Sequence, residues 1–537
     1  IKKYPSKINA YILLAEIFRK ENNVNDALRT LHAAKKVENV NSDIDYNLSI
    51  SYKTTKLFKE AILSIDSAIK QKPDNQIYKI LKADILIDCL QDEKAKEILL
   101  DLKVEKDSLF YFQREILISK ILINQKKYRL AEKVLLELRK LFSKQKILYL
   151  NLSDLYFKNK DLEKGILTLK EGIQSFPNFI PLRFNLAIMY RNLGLVELSI
   201  KTHIEILRDD KFNSNSYYEL STMYDFSNHN EQLKTLLNIE TGNLSKMEKI
   251  YFCYSKANVF HSKKNYKESA YFLKIANDEK LKIQPSDIKR KLNTGEYYRN
   301  LKIDHNLSFE KSEDSNQYIF IVGMPRCGST LLESILSLNS EVQDLGEVTF
   351  LEESLEKTKN LLEVKDHYKQ RVMLINSNEK IFTDKNLFNF LYCPIIYKLF
   401  PNARIIHCIR NPLDNILSIY RTNFLNQSFS SSLNDITDLY LYHLKIMNEY
   451  KSKFGSIIYS YDHDEVVQNP KETIQDLMNW LEWEWNEKYL SPQNSKRSVF
   501  TASSAQVREK INSHSSGYWK NYEELLKPIS VLFTSYN

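Results

Sequence analysis

Apolar positions through the first 280 residues recur at helical spacing, and the small residues among them return at a fixed interval. Ala27, Ala61 and Ala95 lie 34 residues apart, and Ala131, Gly165, Ser199, Leu233 and Ser269 continue the series at steps of 34 or 36. Twelve residues before each stands a second small side chain, from Ala15 to Ala257. Nine residues before each stands a large apolar one, from Phe18 to Phe260. The frame predicts eight helical hairpins in which the first helix offers a small side chain for close approach and the second packs its own small residue into the gap. Pro73 and Pro177, each twelve residues after a series member, mark points where a helix must stop.

This pattern resembles the tetratricopeptide repeat over about residues 8–280, without the tryptophan of that family's consensus and with Leu233 departing from the small position of the seventh unit. The resemblance implies an all-α solenoid whose concave surface takes a protein or peptide partner. Residues 281–316 break the period and include the polar run Lys311–Asn316, so they read as a connecting segment. From residue 317 the texture changes. Tyr318–Val322 is a continuous apolar run suited to a buried parallel strand, Gly323–Ser329 a tight loop, and Thr330–Leu338 an amphipathic helix. Ala403–Ile409 is a second such strand, and Pro412 stands in the first turn of the helix after it. The expected organisation is a solenoid over 1–280, a connection over 281–316 and an α/β domain with a parallel sheet over 317–537.

Composition narrows the classes. At 537 residues the chain exceeds one ordinary core, and 43% hydrophobic with 27% charged residues sits at the globular average. No apolar run approaches the ~20 residues that cross a bilayer, so no membrane span is expected. Ten glycines and 12 prolines favour helices over loop-rich folds. A net charge of +9 suits an anionic ligand without calling for nucleic acid. Five cysteines without C-x-x-C spacing read as reduced thiols in a cytoplasmic setting, with no zinc site.

The candidate chemistry lies in the second half. Gly323-Met-Pro-Arg-Cys-Gly328-Ser-Thr330 has the two-glycine spacing of a loop that cradles a phosphate with backbone N–H groups at a helix start. The lysine that follows the second glycine in nucleotide triphosphatases is replaced by Ser329, and the cation is Arg326 within the loop. The strand 403–409 delivers Arg410 to its carboxyl end, where open α/β sheets bind ligands, and Ser418 follows on the next helix. Arg410 and Ser418 are placed to grip one phosphate.

Together these residues resemble the sulfotransferases that use 3′-phosphoadenosine-5′-phosphosulfate, relatives of the tyrosylprotein sulfotransferases, over about residues 317–530. The resemblance implies a co-substrate and no metal. It assigns Arg326, Cys327, Gly328, Ser329 and Thr330 to the 5′-phosphosulfate, with Cys327 where serine is usual, and Arg410 and Ser418 to the 3′-phosphate. Glu347, in Gly346-Glu347, is implied as the catalytic base, and Lys385, in Asp384-Lys385-Asn386, as assistant to the leaving group beside Arg326. Tyr461 is implied to meet the adenine. Ser503 and Lys520 belong to segments resembling the one that closes over the nucleotide, where Tyr518 replaces the usual basic residue. The acceptor hydroxyl belongs to a protein tyrosine, glycan, lipid or small molecule. A P-loop kinase or hydrolase and a repeat scaffold with an inactive domain are the competing readings. His407 reads as a core histidine, and Trp480, Trp483 and Trp485 as packing.

Overall fold

The computed structural model describes residues 7–536 except 22, 90, 224–229, 243, 302–315, 376–378, 426, 496–509 and 514. Contacts divide the chain into two compact units, Ile1–Met189 and Tyr190–Asn537. The described residues before Ile288 form eight consecutive helical pairs, from Ile8–Lys20 with Val24–Val37 to Lys246–Ser262 with Tyr266–Ile283. The expected tetratricopeptide-type hairpins are therefore present.

Their periodicity has a backbone cause. The first helix of a pair ends in a Schellman turn, in which an N–H five residues on donates to the carbonyl of the large apolar residue of the repeat frame. Leu57 N donates to Tyr52 O at 2.9 Å, Lys127 N to Leu122 O at 2.8 Å, and Asn265 N to Phe260 O at 2.8 Å. The residue just before each donor is left-handed, with φ of 58° at Lys56, Lys126 and Lys264, 61° at Lys160 and 82° at Gly194. The small residues meet as expected: Ser49 Oγ donates to Ala61 O at 2.9 Å, and Ser269 Oγ to Ala257 O at 2.8 Å. Helices Phe58–Gln71 and Leu162–Ser175 stop just before Pro73 and Pro177.

The second unit holds the later repeats and a five-stranded parallel sheet in the order β2-β3-β1-β4-β5. Its strands are β1 (Gln317–Gly323), β2 (Val342–Gly346), β3 (Ile381–Asp384), β4 (Arg404–Ile409) and β5 (Ile458–Asp462). β1 pairs with β4 in the register Ile319↔Arg404 to Gly323↔Cys408, so both strands end at one edge. His407 is a core residue, its Nε2 2.8 Å from His443 Nε2. Trp480, Trp483 and Trp485 pack against the core on one side of the sheet.

On the other side, one apolar core runs from repeat residues Ile250, Tyr254 and Leu273 through Tyr298 to Phe320, Phe390, Ile416 and Phe533. Polar contacts follow the same path. Asn277 Nδ2 donates to Tyr420 O at 3.0 Å, Lys280 Nζ to Phe424 O at 2.7 Å, and His261 Nδ1 lies 2.8 Å from the Tyr522 hydroxyl. The helix Ile288–Arg299 belongs to this packing through Arg299, which grips Glu449 with Nε and Nη2. No helix among the described residues is long and apolar enough to cross a membrane.

Candidate active site

In this strand order the chain leaves β1 toward one side of the sheet and β4 toward the other, which makes the gap beyond their carboxyl ends the ligand position of an open α/β fold. β1 ends at Gly323, where φ is 151° and a Cβ would stand 2.6 Å from the Cys408 carbonyl oxygen. Arg326 takes a left-handed φ of 68°. That conformation costs a side chain about 1–2 kcal/mol. Asn415 Nδ2 steadies the turn by donating to Pro325 O at 2.7 Å. Gly328, at φ 91°, precedes the helix Ser329–Leu336, and a Cβ there would lie 2.3 Å from His463 Nδ1. Among the described residues this helix start has no N-cap side-chain bond, and its first-turn N–H groups, without intrahelical partners, favour an anion.

Two guanidinium groups meet beside the loop. Arg326 Nε donates to Ser418 Oγ at 3.2 Å, and Arg410 Nη1 donates to the Arg326 carbonyl at 3.4 Å. Arg410 is 9% exposed, its Nη2 donates to Ser515 O, and its Nε has no hydrogen-bond partner among the described residues. Burial first, and then the Arg410 charge, push Arg326 down to about 10. The same two causes push His463 down to about 4, so it is neutral at pH 7. A buried and a half-buried guanidinium, an orphaned Nε and a helix start without an N-cap side chain form a donor set that fits a ligand carrying several phosphate-type charges.

The second half of the site lies at the end of β3. Lys385 N donates to Gly346 O at 2.9 Å, which holds the lysine next to Glu347. Its Nζ donates to Glu347 Oε1 at 3.0 Å and lies 3.4 Å from Glu333 Oε2. Neighbouring Asp384 accepts from Asn386 N at 3.0 Å and from Tyr368 Oη and Asn389 Nδ2 at 3.1 Å. Burial nevertheless pushes its carboxyl up to about 7, with Glu333 adding to the rise.

A cleft is walled by Arg326, Gly328, Ser329, Thr330, Glu347 and Phe388 with Phe424. The structure thus gathers Arg326, Gly328, Ser329, Thr330 and Glu347 around one space, with Lys385 touching Glu347 and with Ser418 and Arg410 touching Arg326. Other expected residues lie elsewhere. The Cys327 side chain is buried against Cys408; hydrogen bonds from Cys408 and Ser329 outweigh burial and lower its thiol, while burial drives Cys408 up. Tyr461 is 2% exposed and packs in the core with Ile319 and Cys408, so its ring does not reach the cleft. Lys520 is exposed on the short helix Tyr518–Tyr522. Ser503 lies outside the described residues. Among the described residues, no group of three or more His, Cys, Asp or Glu could hold a metal ion.

Three contributors escaped the sequence reading. Glu333 reads there as one position of an amphipathic helix, and His463 carries no spacing signal. Asp414, four residues before Ser418, accepts from Gly517 N at 2.6 Å and Trp519 N at 2.8 Å, pinning the last segment to the helix that carries Ser418.

Comparison with known proteins agrees with this geometry. Residues 318–374 and 363–487 match the profile of the sulfotransferase family. The chain thus joins helical hairpins of tetratricopeptide type to an α/β domain that matches the sulfotransferase profile. An uncharacterized protein of Aquifex aeolicus is 28% identical over 411 residues, 69% of this chain and 52% of its own length, so the chain spans about half of that relative. Among solved structures, the sulfotransferase domain from the curacin biosynthetic pathway is 15% identical, matching 40% of this chain and 98% of its own with a TM-score of 0.30. The pilF protein of Pseudomonas aeruginosa is 16% identical over 40% of this chain and 96% of its own, with a TM-score of 0.30.

Proposed function

We propose that this protein transfers a sulfuryl group from 3′-phosphoadenosine-5′-phosphosulfate to an acceptor hydroxyl. The observation that carries the reading is the convergence on one cleft of an arginine-bearing glycine loop and a lysine–glutamate pair, Lys385 with Glu347 at 3.0 Å. The donor, when bound, supplies the sulfuryl group and an adenosine bisphosphate leaving group. Arg326, the loop amides from Cys327 to Thr330, Arg410 and Ser418 would hold its phosphates. Lys385 and Arg326 neutralise charge growing on the leaving oxygens, and the loop dipoles do so without reorganising. Glu347, 56% exposed at the cleft, takes the acceptor proton. Tyr461 and Lys520 do not line the cleft.

The acceptor is a protein tyrosine, a glycan or a small molecule, and the repeats recruit it or a partner protein. The domain limits proposed are repeats to about 280, a connection over 281–316 and the transferase domain from 317. A reducing cytoplasmic setting is part of the proposal, in keeping with cysteines that lack C-x-x-C spacing. The test is incubation of the purified protein with donor labelled in the sulfuryl group and host lysate, followed by separation of protein, glycan and small molecules. Label in one fraction, lost in Glu347→Gln, is the expected result. Phosphate transfer from ATP with Mg²⁺, and no sulfuryl transfer, would replace the reading with that of a kinase.

A further inference from the structure

Glu333 is the fifth residue of the helix Ser329–Leu336, and its side chain faces inward with 1% exposure. Burying a carboxylate without a counter-charge is costly. Its counter-charge is the Lys385 ammonium, itself buried, at 3.4 Å. The same ammonium contacts the exposed carboxylate of Glu347 at 3.0 Å. One lysine is therefore shared between an inner carboxylate that solvent does not reach and an outer one that it does.

The asymmetry bears on how a base can work beside a cation. A carboxylate held against an ammonium loses proton affinity, so Glu347 accepts a proton well only when Lys385 turns from it. Were Glu347 the sole counter-charge, that turn would strand a buried cation. With Glu333 behind it, the ammonium keeps a partner in both positions. We infer that Glu333 is a positioning residue: it anchors Lys385 toward the 5′-phosphate end of the bound nucleotide, and so releases Glu347 to receive the acceptor proton. Glu333 itself exchanges no proton. This inference rests on the sulfotransferase reading and adds to it a residue that never touches substrate.

Calorimetric titration with adenosine 3′,5′-bisphosphate tests it without an acceptor, on the full-length wild type, Glu333→Gln, Glu333→Asp, Lys385→Met and the Glu333→Gln/Lys385→Met pair. Glu333→Gln is expected to weaken binding about tenfold, the loss of one well-directed charge-assisted contact, and Glu333→Asp to recover most of it. The double variant is expected to bind as Lys385→Met does, because the first change acts only through the lysine. The double variant buries neither charge alone, so should Glu333→Gln or Lys385→Met fail to fold, wild-type affinity in the double variant overturns the inference. Losses that add in the double variant, or unchanged affinity in a folded Glu333→Gln, overturn the inference. A wild type that binds no bisphosphate overturns the sulfotransferase reading itself, a result distinct from either.

Discussion

Replacing Arg410 by alanine separates a ligand contact from a structural one. Arg410 spends Nη1 and Nη2 on the carbonyls of Arg326 and Ser515, while its Nε has no partner among the described residues. The two carbonyl contacts brace loops, and losing them should cost on the order of 1–3 kcal/mol of stability. The phosphate contact is a charge-assisted hydrogen bond worth about 1.5–3 kcal/mol, which is roughly one to two decades of affinity. Adding Ser418→Ala removes the hydroxyl that accepts from Arg326 Nε and deepens the loss. The assay is calorimetry with two ligands, adenosine 3′,5′-bisphosphate and adenosine 5′-monophosphate, at one salt concentration, with thermal melting alongside. The bisphosphate should weaken at least tenfold and the monophosphate by less than about twofold, since only the first carries the 3′-phosphate. Equal losses for both ligands would show that Arg410 serves the loops alone, and an unchanged bisphosphate affinity would refute its assignment outright.

Glu347→Gln should lower transfer by roughly 10²–10⁴-fold while bisphosphate binding persists, because glutamine keeps the shape and loses the proton acceptor; single-turnover kinetics reads this, and near-wild-type turnover would move the base elsewhere. Stability should fall as pH drops from about 6.5 toward 4. Burial depresses His203, His261 and His443 to about 3 and His463 to about 4, so over that window the unfolded chain takes up protons that the folded one refuses. Asp384, raised to about 7, and Asp92, Glu219, Glu352, Asp414 and Asp462, raised by burial to a smaller extent, act with the opposite sign, but the histidines, with His407 also pushed well down, carry the larger shifts. A melting temperature that stays level between pH 7 and 5 would contradict this. A chain begun near residue 304 should aggregate, since it loses Ile250, Tyr254, Leu273 and Tyr298 from a core shared with the sheet, whereas one begun at Tyr190 should stay monodisperse in size-exclusion chromatography and bind the bisphosphate.

The repeats were legible because every unit repeats the same local requirement. A large apolar residue whose carbonyl closes the turn, and small residues where helices touch, are constraints written at fixed spacing. The strand–loop–helix at Gly323 was legible for the same reason, its glycines standing where the backbone needs a positive φ. Other features depend on where distant segments meet. Glu333 looks like any polar position of an amphipathic helix, and only the arrival of Lys385, 52 positions later in the chain, turns it into a buried ion-pair member. Tyr461 shows the converse. Its place near a strand end matches the nucleotide-facing position of the resembling family, but the ring turns into the core beside Cys408, and strand position alone does not say which side of the sheet it faces.

The shared core of the second unit also bears on inheritance. Sequence texture marks a seam near residue 316, and a recombination event cutting there would look harmless. Packing places that cut through the middle of a hydrophobic interior. An exchange that transplants this α/β domain to another chain must carry the last helical pairs with it, whereas gain or loss of hairpins before Met189 leaves that interior whole. Related chains are thus expected to differ in repeat number at the amino-terminal side and to keep the final hairpins as constant companions of the sheet.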